Sequence, residues 1–299
     1  MTDNSQHEAY EAQPFKFEMF TSLRYDPILL KSLENQDLSF TKDCALYMPV
    51  YHRNRILEAA RYFNFTKAIP LLKDGVEFQT KIMQFIEAYE QNQRENEKPL
   101  RVKVIVNREG ELDVEINSVP EVELSTLYPN TLTLPSKEPE EPLEVSPLTG
   151  GALNMGPTDY QPVPNHNTSP QKHTIYLDSA TTTQSAHTSL KTTHRPHYDA
   201  SRTRHVKTMP EEVLLQNPKG EITEGSLTTP YFFRNGIWVT PPVHDGHGGQ
   251  RGTTRRWAIE KGLCSREEVV RRESVVDGER VWVSNGVRGF GWGVVVKGR

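Results

Sequence analysis

Residues 135–172 read PSKEPEEPLEVSPLTGGALNMGPTDYQPVPNHNTSPQK and hold eight of the chain's 21 prolines. Proline fixes φ and has no N–H to donate, so neither a helix interior nor a central strand can run through such a stretch. A run of this length without structure of its own is unusual inside one compact domain. It is therefore read as an extended tether between two folded parts. The chain divides into a disordered N-terminus (1–14), a small α+β domain (15–134), a Pro-rich linker (135–172) and a larger domain (173–299). The segment also explains why only 35% of the residues are hydrophobic in a chain long enough to bury a core.

Within the first part, FKFEMFTSLRYD (15–26) reads as a strand. HRNRILEAARYFNF (52–65) carries Ile56, Ala60 and Phe63 at helical spacing. A second helix is expected from about Gly75, capped by Asp74 with Glu77 three residues on. Its apolar face runs Phe78, Ile82, Phe85, Ile86, Tyr89. LRVKVIV and ELDVEIN alternate cleanly around NREG, which predicts a hairpin with one solvated face. Order returns at TIYLD (174–178). EEVLLQ, NPKGEITEG, PYFFRNGIWVT and RVWVSNGVRGFGWGVVV follow as strands and turns, with TTRRWAIEKGL and SREEVVRR as helices. A helix after Lys191 has its start restricted by Pro196.

Net charge is −4, so there is no global basic field for nucleic acid. No apolar run approaches the roughly 20 residues of a membrane span, and the first residues, MTDNSQHEAYEAQ, read as neither a secretory nor an Arg-rich transit signal. Cys44 and Cys264 lie far apart, which fits a reducing, cytoplasmic setting. The histidines at 194, 197, 205, 244 and 247 supply no converging zinc set, so no metal is expected.

Taken one at a time, the chemically suggestive residues have ordinary explanations. Gly252, Thr253 and Thr254 open a helix whose free N–H groups and hydroxyls suit a phosphate, though most helix starts bind nothing. Ser284, Asn285 and Gly286 form a turn that could cradle an anion. Lys191 alone is a surface lysine, and Glu224 alone a turn residue.

Their order along the chain carries more. FEMFTSLRYD, YHRNRILEAARYF with His52 and Arg55, LKTTHRPHYDASRTR, EVLLQNPKGEITEG, RGTTRR and VWVSNGVRGF resemble, in sequence, the motifs of class IV (branched-chain-type) aminotransferases. Lys191 and Glu224 stand 33 positions apart, as in that family. FTSLRYDP, YHRNRILEAARYF and NGVRGF are most similar to the fungal 4-amino-4-deoxychorismate lyase branch. The resemblance implies a two-domain α+β enzyme of fold type IV. Its small N-terminal domain would be α+β and its C-terminal domain mixed and α/β-barrel-like. It further implies pyridoxal 5'-phosphate as cofactor, held covalently by Lys191, with Glu224 at the pyridine nitrogen. Arg55, Thr253, Thr254 and Asn285 would hold the phosphate, and Ser22, or less favourably Thr21, would donate a proton.

The implied small-molecule substrate is aminodeoxychorismate, converted to 4-aminobenzoate and pyruvate, with neither nucleic acid nor membrane as partner. Two alternatives stand beside this one: a class IV transaminase acting on branched-chain or D-amino acids, and a non-catalytic relative. Family members are commonly homodimers, and a monomer is also left open. Several features depart from the family pattern, among them a short N-terminal strand region before EMFTS. Thr229 occupies the place of an asparagine, Ser22 that of a threonine, and the 135–172 insert is long.

Overall fold

A computed structural model of the chain describes residues 16–93, 98–133, 172–208, 210–244 and 246–297. The expected disordered N-terminus lies outside the described residues. So does the tether, apart from Lys172, which opens a strand.

Strand β1 (Met19–Tyr25) pairs antiparallel with β2 (Leu100–Val106), and β2 with β3 (Leu112–Ser118). Helices α1 (Leu33–Asp37), α2 (Pro49–Tyr62), α3 (Ile69–Lys73) and α4 (Gly75–Gln93) lie between β1 and β2 in the chain. The apolar alternation of β2 places Val102, Val104 and Val106 in a core with Met19, Leu23, Ile56, Ala60, Phe78 and Ile82. Asp74 caps α4 as expected, its Oδ1 accepting from Glu77 N at 2.9 Å. The α4 stripe is narrower than expected: Phe78, Ile82 and Ile86 are fully buried, but Phe85 is 38% exposed. At 100° per residue Phe85 falls on the rim of a stripe centred on Ile82. The β2–β3 turn needs a glycine at 110: φ is 84°, and a Cβ there would lie 2.5 Å from the Lys67 carbonyl oxygen.

After α5 (Leu124–Leu127) the described chain resumes with β4 (Lys172–Thr181), α6 (Ala186–Ser189) and α7 (Pro196–His205). Pro196 stands at the start of α7, where its missing N–H costs nothing. Then come β5 (Glu211–Gln216), β6 (Ile222–Gly225), β7 (Thr229–Arg234), β8 (Ile237–Thr240), α8 (Thr253–Glu260), β9 (Arg266–Glu267), β10 (Arg280–Asn285) and β11 (Gly289–Val296). These strands form one mixed sheet in the order β6-β5-β4-β11-β10-β7-β8-β9, curled as a half-barrel. The α+β fold class expected from the sequence is thus the observed one.

The helix expected over SREEVVRR does not form. Arg266 and Glu267 pair in parallel with Val239 and Thr240, Ser265 N donates to Trp238 O, and Glu268 N donates to Thr240 O. An open strand edge offered this backbone more than an isolated short helix could.

Alternation divides the large sheet. Phe232, Val239, Val281, Val283 and Val295 fill one core. Tyr231, Trp282 and Phe290 face the other way, onto Trp257 and Ala258 of α8. The two parts of the chain are stitched together beside β1. Phe20 N donates to Lys191 O at 3.1 Å, Thr193 N donates to Glu18 O at 2.9 Å, and Met19 bridges Thr192.

Candidate active site

That stitch fixes the backbone of Lys191 against β1, so the lysine side chain enters a cavity of about 350 Å3 between the two sheets. Lys191, Glu224, Arg55, Thr253, Thr254, Asn285 and Ser22 all line it. The seven residues singled out from sequence come from β1, α2, the segment before α7, β6, the start of α8 and the end of β10.

Lys191 Nζ donates to Gln250 Oε1 at 3.4 Å and lies 5.0 Å from the centre of the Phe20 ring. Burial first, then the Arg195 and Arg55 cations, push its amine well below the ordinary lysine range, against the pull of Glu224. Glu224 is buried, and desolvation raises its carboxyl to about 7. Tyr198 Oη donates to Glu224 Oε1, and Gln250 N donates to Oε2 at 3.2 Å. Gln250 Nε2 in turn donates to Tyr198 Oη at 3.1 Å. Both carboxylate oxygens are therefore fixed. Sequence reasoning gives no role to Tyr198 or Gln250. The only signal is the crowding of Tyr198 behind Lys191, and none points to Gln250.

At the other side, α8 begins at Thr253 after Gly252, with no side chain capping it. Its first N–H groups have no intrahelical acceptor. Arg55 Nη2 donates to Thr21 Oγ1 at 2.5 Å, while its Nε is buried without a partner among the described residues. Thr254 Oγ1 and Ser284 Oγ are 2.8 Å apart, and Ser284 is 2.8 Å from Tyr231 Oη. Asn285 Oδ1 accepts from Val287 N at 3.0 Å and Arg288 N at 2.9 Å. That leaves its amide nitrogen as the group able to meet an anion. Gly286 passes so close to His52 that a Cβ would lie 2.6 Å from its ring.

Alternation along β1 separates Ser22 from Thr21. Ser22 lines the cavity; Thr21 is fully buried on the opposite face, 2.7 Å from His52 Nδ1. His52 Nε2 reaches Thr253 Oγ1 at 3.3 Å, so this histidine joins α2, β1 and α8 behind the cavity wall.

The solvated face expected for the hairpin is realised only in part. Asp113, Glu115 and Asn117 of β3 are exposed, but Arg101 and Lys103 of β2 line the cavity. The β1–β2 register, Ser22 opposite Lys103, carries them there. Among the described residues no three His, Cys, Asp or Glu side chains converge as metal ligands. No helix among them is long and apolar enough to cross a membrane.

A buried carboxyl with raised proton affinity, a lysine of lowered basicity and an uncapped helix start beside a guanidinium N–H without a partner among the described residues form a donor set that fits a phosphorylated aromatic aldehyde. The structure is similar to a provisionally named amino-acid aminotransferase from Mesorhizobium loti, with TM-score 0.60 and 17% identity, covering 94% of this chain and 100% of that one. It is also similar to a provisionally named 4-amino-4-deoxychorismate lyase from Legionella pneumophila, with TM-score 0.57 and 12% identity, covering 94% and 83%. At these identities the likeness is one of fold. In sequence, 88 residues are 32% identical to a provisionally named aminodeoxychorismate lyase of Schizosaccharomyces pombe. That match spans 29% of this chain and 37% of the relative's length. The model of the amino-transferase class IV family matches residues 41–291. The chain therefore belongs to the class IV amino-transferase family.

Proposed function

We propose that the cavity is a pyridoxal 5'-phosphate site and that the protein acts on the amino group of a small anionic substrate. The observation that carries this reading is the convergence of Lys191 and Glu224 on one cavity whose wall also holds Arg55 and the uncapped start of α8. When bound, pyridoxal phosphate supplies an aldehyde that condenses with amines and a protonated ring that withdraws electrons.

The chain's own residues then divide the work. Lys191 holds the cofactor. Burial and the neighbouring cations lower its basicity, which favours the neutral amine that would hold the aldehyde and carry a proton to or from the substrate. Glu224, fixed by Tyr198 and Gln250, would meet the ring nitrogen and hold a proton on it. Arg55, the N–H groups and hydroxyls of Thr253 and Thr254, and the Asn285 amide hold the phosphate. Ser22 is the hydroxyl on the cavity side of β1 and serves as proton donor; Thr21 is committed to His52 and Arg55.

Two finer readings share these residues. Amino-group transfer to a keto acid is the broader-based one, supported by the family description and by several of the similar folds, named as aminotransferases. Conversion of aminodeoxychorismate to 4-aminobenzoate and pyruvate is supported by the local sequence match and by two similar folds named for that reaction. One experiment separates them. Purified protein loaded with pyridoxal phosphate is given aminodeoxychorismate alone, and in parallel an amino acid with and without a keto acid. Pyruvate and 4-aminobenzoate from the single substrate identify the lyase. Amino transfer that stops without keto acid identifies the transaminase. In either case Lys191→Ala should abolish the lysine-linked cofactor, seen as loss of the phosphopyridoxyl-lysine peptide after borohydride reduction. Retention of that label at another lysine would overturn the assignment.

A further inference from the structure

Glu212, on β5, is a carboxylate where packing asks for hydrocarbon. The next three residues of the strand, Val213, Leu214 and Leu215, are buried apolar side chains, and Glu212 itself is 2% exposed. Taking a charge out of water is costly, and a well-packed apolar residue in its place is often neutral or stabilising, so stability alone is a poor account of it. Its partners give a better one. Oε1 accepts from Val213 N at 2.9 Å, from Ser226 N at 3.1 Å and from the Ser226 hydroxyl. Oε2 accepts from Leu227 N at 3.2 Å and from Thr228 Oγ1 at 2.9 Å. All but the first of these donors belong to three consecutive residues, the turn by which the chain leaves β6 for β7. The antiparallel register, Leu214 opposite Gly225, brings that turn round the carboxylate. Gly225 makes the wrapping possible: a Cβ there would collide with the Thr228 hydroxyl and lie 3.2 Å from Glu212 Cδ. Arg202 Nη1 of α7 lies 3.8 Å from Oε1, and Arg288 of the β10–β11 turn and His173 of β4 also feel the Glu212 charge.

The turn so held is part of the cavity wall. Gly225, Ser226, Leu227 and Thr228 line it, directly after Glu224. Ser226 also passes the grip on. Its carbonyl oxygen accepts from Arg195 Nη2 at 3.0 Å, and its hydroxyl accepts from Arg202 Nη1 at 2.8 Å. The Arg195 guanidinium in turn lies 3.8 Å from the centre of the Tyr198 ring and 5.8 Å from that of Phe20, whose ring has Lys191 Nζ at 5.0 Å. Of the neighbouring cations, Arg195 comes first in lowering the Lys191 amine. A path of contacts therefore leads from Glu212 through Ser226 and Arg195 to that amine.

We propose that Glu212 is a positioning residue: its carboxylate moulds residues 226–228 into the cavity wall beside Glu224 and, through the Ser226 carbonyl, sets where Arg195 stands relative to Lys191. The proposal rests on the reading of Lys191 as the residue that holds pyridoxal phosphate. Glutamine at 212 keeps the shape but turns an amide N–H group toward the N–H donors of the turn, which loosens its hold. Arg195 then shifts from its acceptor, and the Lys191 amine regains proton affinity.

The test reads Lys191 directly, in cofactor-free protein. Competitive labelling with acetic anhydride, followed at the Lys191 peptide by mass spectrometry as pH is varied, gives the midpoint at which the amine loses its proton. Glu212→Gln should raise that midpoint by about one pH unit. Ser226→Ala removes the hydroxyl and keeps the carbonyl, so it should move the midpoint the same way by less. Glu212→Asp should recover part of the wild-type value. Leu214→Ala, which leaves a cavity in the same strand, should lower the melting temperature and leave the midpoint in place. An unmoved midpoint in Glu212→Gln would overturn the proposal, as would an equal rise in Leu214→Ala. If Glu212→Gln does not fold, Ser226→Ala carries the test, and an unmoved midpoint there overturns it. Failure of the wild-type protein to load pyridoxal phosphate on Lys191 would instead overturn the reading of the cavity itself.

Discussion

His52 is fully buried, and its two ring nitrogens face two hydroxyls, Thr21 Oγ1 at 2.7 Å and Thr253 Oγ1 at 3.3 Å. Burial, then the Arg55 cation, hold it well below the ordinary imidazole range, which favours the neutral ring, one nitrogen donating and the other accepting. It orients Arg55 through Thr21. His52→Ala should therefore weaken pyridoxal phosphate binding by about tenfold, the loss of one or two charge-assisted contacts. Binding of pyridoxal, which lacks the phosphate, should change little; titration of cofactor fluorescence reads both. Glu224 supports a pH prediction. Its carboxyl is raised from 4.5 to about 7 by burial. Below pH 4.5 it is protonated both folded and unfolded. Between 4.5 and 7 the folded state holds the extra proton, so stability falls as pH rises through that window. Each pKa unit corresponds to about 1.4 kcal/mol. Cofactor-free wild-type protein should lose melting temperature from pH 5 to 8 faster than Glu224→Gln does. Lys191 and Glu224 were legible in the sequence because motif order marks them. The partners that tune them, Tyr198, Gln250 and Arg195, sit near them only in space.

At the scale of elements, β2 shows how far a pattern reaches. Its alternation announced that Val102, Val104 and Val106 share a face, and they do. It could not say what the other face meets, because the same alternation suits water or a cavity; pairing with β1 decided that. The 265–272 segment failed for a related reason: its helical pattern competed with a free strand edge that exists only once β8 is placed. Helix α4, by contrast, starts and is capped where its sequence expects, with Phe78, Ile82 and Ile86 buried. Ile82→Ala should destabilise the protein by about 2–5 kcal/mol through the lost transfer energy and the cavity left behind. Asp74→Ala should cost about 1 kcal/mol by freeing the Glu77 N–H. Urea denaturation with an unchanged slope measures both. Gly286→Ala would drive a methyl into the His52 ring and should impair cofactor loading.

For the whole molecule, we propose two folding units, 15–134 and 173–299, joined by the Pro-rich tether. The first ends with Leu132 O and Thr133 O accepting from the indoles of Trp238 and Trp282, so the chain entering the tether is already anchored on the second. Replacing 137–170 by a short Gly/Ser linker should then leave cofactor loading intact and melting temperature nearly unchanged. A collapse of folding on that deletion would make the segment structural. The cavity depends on both units. Arg55, Arg101 and Ser22 come from one; Lys191, Glu224 and the α8 start come from the other.

By itself the sequence determined the helices with strong apolar spacing, the alternating strands and the order of the motifs. Each of these follows from residues near one another along the chain, where periodicity and backbone preference act directly. Only the tertiary structure decided which charges share a wall, which hydroxyl of β1 faces the cavity and which strand edge captured residues 266–267. Those outcomes depend on sheet register and on packing between segments that can lie more than two hundred residues apart, and no local preference encodes such a contact.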